Sequence, residues 1–298
     1  MQVGFIGLGR MGAAMVRRLL KHKHRVVAYD RNPAAVRDVV RQGAQAADSL
    51  GGLMEKLRAP RVVWLMVPAG DAVSAVLRGL ETHLREGDIV IDGGNSYYRD
   101  SVARAASLKQ AGIHFLDAGT SGGVWGLEEG YCLMVGGEAQ AFKRVEPLFK
   151  ALAPKNGHAH VGPSGAGHFV KMVHNGIEYG MLQAYGEGFE LLARSSYQLD
   201  LHQLAQLWNH GGVIRSWLLE LAESALGKDR RLRRIRGYVE DSGEGRWTVQ
   251  EAVDAAVPLP TIAFSLFARF HSRQKDSFAA KLIAALRQEF GGHAIKKR

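Results

Sequence analysis

Residues 3–12 read VGFIGLGRMG, a short apolar run that passes directly into glycines spaced as G-x-G-x-x-G. The residues that follow, MGAAMVRRLLKH, repeat apolar side chains with the period of a helix. In a strand–turn–helix context this spacing binds a dinucleotide, because the glycines let the backbone approach a pyrophosphate at the helix N-terminus. The stretch therefore predicts a nucleotide-binding unit. We expect cofactor contacts from Gly7, Leu8, Gly9, Arg10, Met11 and Gly12.

Short apolar runs alternate with helix-like segments over the first half of the chain. Candidate strands are VGFI, RVVAYD, VVWLMV, DIVID, HFLDA and YCLMV, and helical periodicity occurs in segments such as AAVRDVVRQG and DAVSAVLRGLETHL. This alternation predicts βαβ units and a doubly wound, mostly parallel sheet. Cys132 in YCLMV, the only cysteine, is expected to be a buried strand residue.

The chain changes character at residues 154–167, PKNGHAHVGPSGAG, a Pro- and Gly-rich stretch that predicts a hinge. Strand-like runs nearly vanish beyond it, and residues 168–193 contain no proline, so a long helix is expected there. We predict a Rossmann-type α/β domain over residues 1–163. An all-helical substrate and oligomerisation domain is predicted over residues 164–298.

Composition limits the function classes. A hydrophobic content of 46% and a charged content of 23% are typical of a globular protein, and no apolar run reaches the roughly 18 residues of a membrane span. No secretory signal is expected, and one cysteine excludes an intrachain disulfide, so we expect a cytoplasmic location. The net charge of +10 suits an anionic substrate as well as nucleic acid. We interpret the basic run KDRRLRRIR, residues 228–236, as solvated and expect no nucleic-acid partner, because no aromatic residue is interleaved.

Cofactor identity depends on Asp30, which ends the second candidate strand 18 residues after Gly12. A carboxylate there can accept from the ribose hydroxyls and would repel a 2′-phosphate, which favours NAD. Arg31 follows directly and can pair with a phosphate, so NADP remains a possible second cofactor. Further cofactor contacts are expected at strand ends and turns, from Asn32, Val67, Pro68, Ala69 and Asn95.

The stretch KMVHNGIEYG places Lys171, His174, Asn175 and Glu178 at i, i+3, i+4 and i+7, on one helical face. A solvated polar face is one interpretation. Beside a nucleotide fold, however, such a stripe is expected to line the cofactor cleft, with Lys171 and Glu178 as proton carriers. In GTSGG, Ser121 and the glycines either bind an anion or form a simple tight turn. No metal site is predicted, because no HExxH or carboxylate–histidine cluster occurs.

GLGRMG, DGGNS, GTSGGVWG and GHFVKMVHNGIEYG together resemble the decarboxylating 6-phosphogluconate dehydrogenases, and GEGRWT and FARFHS extend the likeness. The resemblance implies oxidation at C3 of 6-phosphogluconate, loss of CO₂ and protonation to ribulose 5-phosphate, without a metal. It implies Lys171 as the base and Glu178 as the acid. Substrate contacts are implied for Asn95, Ser121, Gly122, Gly123, His174, Asn175, Tyr179, Arg246 and Arg269, the phosphate being assigned to Tyr179 and Arg269.

The sequence also differs from the family pattern. Arg246 stands where the family has a lysine, and Asp30-Arg31-Asn32 replaces the Asn-Arg-Thr of NADP-using members, which favours NAD. The residues after the hinge are too few for the second set of helices in the longer members. Near the C-terminus, Arg287 and His293 resemble the pair that reaches into a partner subunit, so a homo-oligomer with a shared active site is expected.

Two other interpretations compete. A β-hydroxyacid dehydrogenase of the 3-hydroxyisobutyrate type would share the fold and the lysine, but would leave Glu178, Tyr179 and the basic phosphate contacts unexplained. A non-catalytic NAD sensor or nucleic-acid-binding protein using residues 228–236 would leave the polar helical face without a role. Steeply salt-dependent binding to duplex DNA would favour the latter.

Overall fold

The computed structural model describes residues 1–296 and divides into two compact units, Met1–Asn175 and Gly176–Arg298. Strands and helices alternate in the first unit. Its strands are β1 Gln2–Ile6, β2 Arg25–Tyr29, β3 Gln45–Ala46, β4 Val62–Leu65, β5 Ile89–Asp92, β6 His114–Ser121, β7 Cys132–Gly137 and β8 His158–Gly162. Its helices are α1 Arg10–Lys21, α2 Pro33–Val40, α3 Leu50–Glu55, α4 Asp71–Leu80, α5 Tyr98–Lys109 and α6 Ala139–Leu152, with a 3₁₀ turn at Gly123–Leu127.

The strands form one sheet in the order β3-β2-β1-β4-β5-β6-β7-β8. Every pairing is parallel except that of β6 with β7. Because β1 lies between β2 and β4, the strand order reverses there, and the loops after the parallel strands meet at one edge, where such sheets bind ligands. The predicted α/β class with a doubly wound sheet is confirmed.

Apolar side chains cover both faces of this sheet. Phe5 and Trp64 belong to the cluster packed with α1 and α6, whereas Ile6 and Leu65, one residue further along each strand, belong to the cluster on the other face. Trp64 is fully buried, with its ring centroid 6.1 Å from that of Phe5. Burying a large apolar side chain contributes roughly 1.5–3 kcal/mol to stability. Because both faces of the sheet are buried, its strands are continuous apolar runs in the sequence.

Over its described residues, 176–296, the second unit contains helices joined by loops and no strand. Helix α7, Ala166–Ala193, begins in the first unit and continues into the second. Further helices are α8 Leu201–Asn209, α9 Trp217–Lys228, α10 Glu244–Asp254, α11 Pro260–Ser272 and α12 Phe278–Gly291. Leu219 and Leu226 of α9 pack on Ala205 of α8 in a small core, with Phe189 and Trp208 beside them. The expected long helix and the all-helical second domain are confirmed.

Two local expectations are wrong. The stretch expected to be only a hinge contains β8, which pairs in parallel with β7 through Leu133 and His158, among others. Because β8 lies at the edge of the sheet, its residues alternate between polar and apolar and stand between glycines, which gives no apolar run to predict a strand. Cys132 does lie in a strand but is exposed, because β7 begins there, opposite the end of β6 at Ser121. Within residues 1–296, no helix is both long and apolar enough to cross a membrane.

Candidate active site

The glycine loop after β1 fits a bound dinucleotide. Gly7 has φ +97°, and a Cβ there would lie 2.3 Å from the Met66 carbonyl oxygen, so only glycine is accommodated. A Cβ on Gly12 would lie 2.0 Å from the Gly7 oxygen, so this glycine lets α1 approach the loop closely. Gly9, the N-cap of α1, makes no side-chain capping bond, and a Cβ there would meet nothing within 4 Å. The α1 N-terminus therefore has both room and N–H donors for a pyrophosphate.

Asp30 follows β2 and is fixed beside this loop. Its Oδ2 accepts the Leu8 N–H at 2.6 Å, and its Oδ1 accepts the Asn32 N–H at 2.7 Å. The remaining lone pairs of the carboxylate can accept from ribose hydroxyls. Asn32 itself caps α2 by accepting the Ala34 N–H at 3.0 Å, and Arg31 is exposed. The structure thus brings Asp30 to the glycine loop and leaves the Arg31 guanidinium in solvent.

The loops after β4 and β5 touch at the same edge. Buried Asp92 accepts the Gly94 N–H at 3.2 Å and the Ser96 hydroxyl at 2.7 Å, which folds the chain into a turn. A Cβ on Gly94 would lie 2.8 Å from the Val67 carbonyl oxygen. Asn95 lies within this turn, and its side-chain oxygen is buried without a hydrogen bond. Because an unpaired buried acceptor is costly, Asn95 is suited to receive a donor from a ligand.

The turn after β6 adjoins these loops. The Thr120 hydroxyl donates to the Gly93 carbonyl at 3.2 Å, and Ser121 ends the strand half-buried. Gly122 and Gly123 have φ values of +134° and +55°, which favour glycine. The chain turns at these glycines into the 3₁₀ turn Gly123–Leu127, and whether Ser121 and the glycines bind an anion stays a prediction. Of the other predicted contacts, Pro68 and Ala69 are exposed in the β4–α4 loop.

Lys171 is 5% exposed and lies in the first two turns of α7. Its Nζ donates a short hydrogen bond to Asn175 Oδ1 and lies 3.5 Å from His174 Nδ1, which in turn is 3.1 Å from the same Asn175 oxygen. A Cβ on Gly119 would lie 2.4 Å from the Lys171 Cβ, so α7 presses directly against β6. Three of the four side chains in the predicted polar face therefore form one hydrogen-bonded group.

A buried carboxylate on β6 holds the start of α7. Asp117 accepts the Gly165 N–H at 2.7 Å and the His168 N–H at 2.9 Å. Burial raises the pKa of the Asp117 carboxyl, opposed by the nearby His168 and by these N–H donors. His168 is buried, and its Nδ1 lies 2.7 Å from the Ser101 hydroxyl oxygen. Asp117 is absent from the predicted site residues, although a lone carboxylate in the apolar run HFLDA is the signal that marks it.

In the second unit, Arg269 stacks on Tyr179. The guanidinium carbon lies 3.4 Å from the ring centroid, and Nη1 donates to the Glu240 carbonyl at 2.9 Å. Tyr179 is buried against Gly245, where a Cβ would lie 2.4 Å from the ring, and its hydroxyl accepts the Ser242 N–H at 3.3 Å. The two residues to which the resemblance assigns the phosphate are therefore in direct contact.

Asp241 joins two further arginines to this group. Its carboxylate accepts Arg246 Nε at 2.5 Å and Arg273 Nη1 at 2.7 Å, and these guanidinium groups hold the pKa of the Asp241 carboxyl below its usual range. Arg246 and Arg273 also lie over the Phe270 ring. Among the described residues, Arg269 makes no ion pair, so its charge is the one left for an anion. Arg273, which follows Arg269 by one helical turn, was missed by sequence reasoning.

The remaining predicted residues are more exposed. Glu178 is half-buried on α7. Arg287 on α12 and His293 beyond it are both exposed, and the His293 N–H donates to the Arg287 carbonyl at 3.4 Å. No residue of α12 is buried. Its large apolar side chains are between 49% and 78% exposed: Phe278, Leu282, Ile283, Leu286 and Phe290.

The other charged features have local explanations. Residues 230–240 are exposed, and Asp229 accepts the backbone N–H groups of Arg231 and Arg234, as expected for a solvated loop. Arg230 pairs with Asp200. Across residues 1–296, no group of three or more His, Cys, Asp or Glu side chains has the arrangement to hold a metal ion.

A glycine loop on a doubly wound sheet, an acidic residue after the second strand and a buried lysine on the helix after the last strand define a nicotinamide-dinucleotide-dependent dehydrogenase. Two family models match the chain. Residues 2–162 match the NAD binding domain of 6-phosphogluconate dehydrogenase, and residues 167–289 match its C-terminal domain. The chain belongs to the 6-phosphogluconate dehydrogenase family, as the sequence resemblance predicts.

Individual relatives agree with this assignment. An NAD⁺-dependent, decarboxylating 6-phosphogluconate dehydrogenase of Haloferax volcanii is 50% identical over 302 residues, covering 100% of this chain and 99% of that protein. A Plasmodium falciparum 6-phosphogluconate dehydrogenase, solved apo, with NADP⁺ and with 6-phosphogluconate, has a TM-score of 0.84 at 28% identity. This chain spans 66% of that longer one. A 3-hydroxyisobutyrate dehydrogenase of Salmonella typhimurium has a TM-score of 0.74 at 25% identity, covering 89% of this chain and 92% of that one.

Proposed function

We propose that the chain catalyses the oxidative decarboxylation of 6-phosphogluconate to ribulose 5-phosphate and CO₂ with reduction of NAD. The observation that carries the proposal is the buried Lys171 amine, bonded to Asn175 on a helix that presses on the sheet. The Haloferax relative supports it, because 50% identity extends over nearly all of both chains. We assign the activity to the cytoplasm, where the exposed thiol of Cys132 stays reduced.

Lys171, as the neutral amine, accepts the proton of the C3 hydroxyl while C3 loses a hydride. The bound nicotinamide supplies the two-electron acceptor for that hydride. The resulting ammonium polarises the C3 ketone as the C1–C2 bond breaks and CO₂ leaves, and it transfers its proton to the C3 oxygen, so that an enediol forms and Lys171 is again the neutral amine. Glu178 then protonates C2, and Lys171 takes back the C3 hydroxyl proton, which yields the ketone of ribulose 5-phosphate.

The other polar residues of the first unit orient the sugar acid. Asn175 and His174 hold the Lys171 amine through the contacts above and offer their remaining polar atoms to the substrate. The unpaired Asn95 oxygen is available to a substrate hydroxyl or to the nicotinamide amide. Ser121, Gly122 and Gly123 are proposed to bind the substrate at the turn after β6.

The phosphate is assigned to Tyr179 and Arg269, with Arg246 beside them. A phosphate monoester carries nearly two negative charges at neutral pH, and arginine binds it in bidentate geometry. The Arg269 guanidinium supports this role because it makes no ion pair in the described chain. Arg246 takes the place of the family lysine, and its bond to Asp241 reduces its own capacity for the phosphate.

NAD is proposed as the preferred cofactor and NADP as a weaker one. Support comes from the Asp30 carboxylate, which two backbone N–H groups hold beside the glycine loop. A 2′-phosphate at that position would meet like charge, whereas ribose hydroxyls would meet an acceptor.

The active unit is proposed to be a homo-oligomer in which Arg287 and His293 complete a partner's substrate site. Within its own chain, α12 buries no residue and exposes the five large apolar side chains given above. An apolar face of this extent marks an interaction surface. A second copy of the chain is the partner to which the family resemblance points.

One assay tests the reaction. Purified protein is incubated with 6-phosphogluconate and NAD, and NADH absorbance and CO₂ release are followed together. Equal amounts of both products are expected, together with a lower kcat/KM when NADP replaces NAD. NADH without CO₂, or faster turnover of 3-hydroxyisobutyrate, would replace the proposal with a simple hydroxyacid dehydrogenase.

A further inference from the structure

Arg104, on α5, connects the two loops at the dinucleotide edge of the sheet. Its side chain is 10% exposed. Nη2 donates to the Gly70 carbonyl at 3.1 Å and lies 3.3 Å from the Ser74 hydroxyl, at the start of α4. Nη1 lies 3.7 Å from Asp92 Oδ2, at the end of β5. One guanidinium therefore reaches both the β4–α4 loop and the β5–α5 loop.

Both anchors lie directly behind predicted cofactor contacts. Gly70 closes the loop that begins with Val67, and its φ of +84° makes that turn specific to glycine. Asp92 holds the turn that contains Asn95 through bonds to the backbone and to Ser96. Any change in the separation of Gly70 and Asp92 consequently moves the groups that are to meet the nicotinamide.

The Arg104 interactions are incomplete for a purely structural ion pair. Its Nη1 is buried without a hydrogen bond, as is the Asn95 oxygen on the same turn. The second carboxylate in reach, Asp100, lies 3.6 Å from Nη2 and is itself 45% exposed. A buried donor without a hydrogen bond is unfavourable, and a well-packed apolar side chain would stabilise the fold as well or better. The Arg104 guanidinium is instead explained by the two loops that it holds in position, through Gly70 and Asp92.

We propose that Arg104 is a positioning residue for the proposed dehydrogenase reaction: it fixes the spacing of the two loops and thereby the nicotinamide relative to Lys171. This inference rests on the proposed function. Arg104 contacts no reacting atom in this role. Lysine cannot replace it, because an ammonium is a single point donor and lacks the rigid fork that reaches two loops at once.

Hydride transfer depends steeply on such placement. A displacement of about 1 Å away from the reacting geometry lowers a rate by about 10²-fold. For Arg104→Lys we therefore expect kcat to fall about 10–100-fold and the NAD dissociation constant to rise about threefold to tenfold, with the KM for 6-phosphogluconate changed less. Ser74→Ala, which removes one acceptor of Arg104 and the hydroxyl that donates to the Gly70 carbonyl but keeps the charge pairs, is expected to change kcat in the same direction by a smaller factor.

The experiment compares Arg104→Lys and Ser74→Ala with a matched control, Arg78→Lys, at an exposed position on α4. NAD binding is measured by titration calorimetry, kcat and both KM values by steady-state kinetics, and folding by thermal melting. A role in stability alone would lower the melting temperature and leave the kinetic constants of the folded protein unchanged. The inference is overturned if folded Arg104→Lys keeps kcat and NAD affinity within about twofold of wild type.

The calorimetric arm separates this inference from the proposed reaction. If wild-type protein binds NAD but does not oxidise 6-phosphogluconate, the proposed function fails, while weaker NAD binding by Arg104→Lys still supports loop positioning. If wild type turns over normally and the Arg104→Lys constants match those of Arg78→Lys, only the positioning role fails.

Discussion

At the scale of single residues, the proposed chemistry depends on the Lys171 amine. Its contacts with His174 and Asn175, both on its own helix, help to orient Nζ. Since α7 meets β6 at Gly119 without an intervening side chain, the lysine stem has little room to move. A base held in this way contributes through its position as well as its basicity.

Lys171→Met is expected to lower kcat by at least about 10²–10⁴-fold, because general acid–base groups contribute roughly that factor. NAD affinity should stay close to wild type, because the loops that form the dinucleotide site are unchanged. Steady-state kinetics and calorimetry give the two quantities. Lys143→Met, at an exposed position on α6, is the matched control and should retain activity. Turnover within about tenfold of wild type would remove Lys171 from the role of base.

Asp30→Asn is expected to raise the kcat/KM of NADP relative to that of NAD by about tenfold, which corresponds to roughly 1.4 kcal/mol. The substitution removes a negative charge that repels the 2′-phosphate and weakens the acceptor for ribose hydroxyls. Asparagine retains one acceptor for the neighbouring backbone N–H groups, so the loop should persist. The ratio is measured with both cofactors at a fixed substrate concentration. If Asp30→Asn leaves the NADP-to-NAD ratio of kcat/KM values unchanged and Arg31→Ala changes it, Arg31 determines the cofactor preference.

Residues whose partners are near in sequence were predictable, and those with distant partners were not. The helical period alone groups Lys171, His174 and Asn175, and the structure confirms that grouping. Asp117, in contrast, acts on residues 48 and 51 positions away, and Arg104 on residues 30 and 34 positions away. No local pattern encodes such contacts, because they depend on which strands become neighbours in the sheet.

At the scale of elements, Asp117 couples β6 to α7. A long helix needs its first N–H groups satisfied, and here a buried strand residue accepts two backbone N–H groups at that end. Glycines make the contact possible, because a Cβ on Gly167 would lie 2.2 Å from the Asp117 carbonyl oxygen. The position of α7 on the sheet, and with it that of Lys171, follows from this junction.

The pH dependence of stability is expected to expose this junction. Because burial raises the pKa of the Asp117 carboxyl in the folded chain, folding favours the protonated form. Its contribution to the free energy of unfolding is therefore greatest at acid pH, and it declines as pH rises from the unfolded pKa of about 3.9 to the raised folded value. Asp117→Asn, a neutral isostere, should gain stability relative to wild type across that window.

Urea denaturation of both proteins at a series of pH values measures the difference. Asp117→Ala serves as the comparison, because it removes both acceptors and should lose about 1–3 kcal/mol at every pH. Asp117→Asn could instead lose stability relative to wild type as pH rises. That result would mean that the two N–H donors and His168 lower the pKa of the Asp117 carboxyl by more than burial raises it, and that the carboxylate acts as a charged helix cap.

Elements with strong apolar periods were predicted well, and weak ones were not. The six candidate strands correspond to β1, β2, β4, β5, β6 and β7, because each is buried on both faces and reads as an apolar run. β8 lies at the end of the sheet with alternating exposure, and glycine and proline flank it, so its sequence resembles a hinge. The predicted boundary at residues 163 and 164 stays a prediction; the division into compact units falls after Asn175, within α7.

At the scale of the whole molecule, the proposed homo-oligomer rests on α12. Its apolar face is exposed, and the two residues implied in substrate binding, Arg287 and His293, lie on that helix and just beyond it. Hydrophobic periodicity predicts that such a face is buried, and sequence alone cannot say whether the covering surface belongs to the same chain.

Mixing two inactive variants distinguishes a shared site from a self-contained one. Lys171→Met chains lack the proposed base and keep Arg287, whereas Arg287→Ala chains keep the proposed base and lack the tail arginine. If each site takes Lys171 from one subunit and Arg287 from the other, a mixed dimer contains one complete site. An equimolar mixture of dimers with free exchange should then recover about a quarter of wild-type activity, because half of the dimers are mixed and half of their sites are complete.

Lys171→Met mixed with Glu178→Gln is the control and should recover none, since one chain carries both residues on α7. Recovery is measured after native mass spectrometry has shown that subunits exchanged, and its absence at that point would mean that each chain completes its own pocket or that the tail lies outside it.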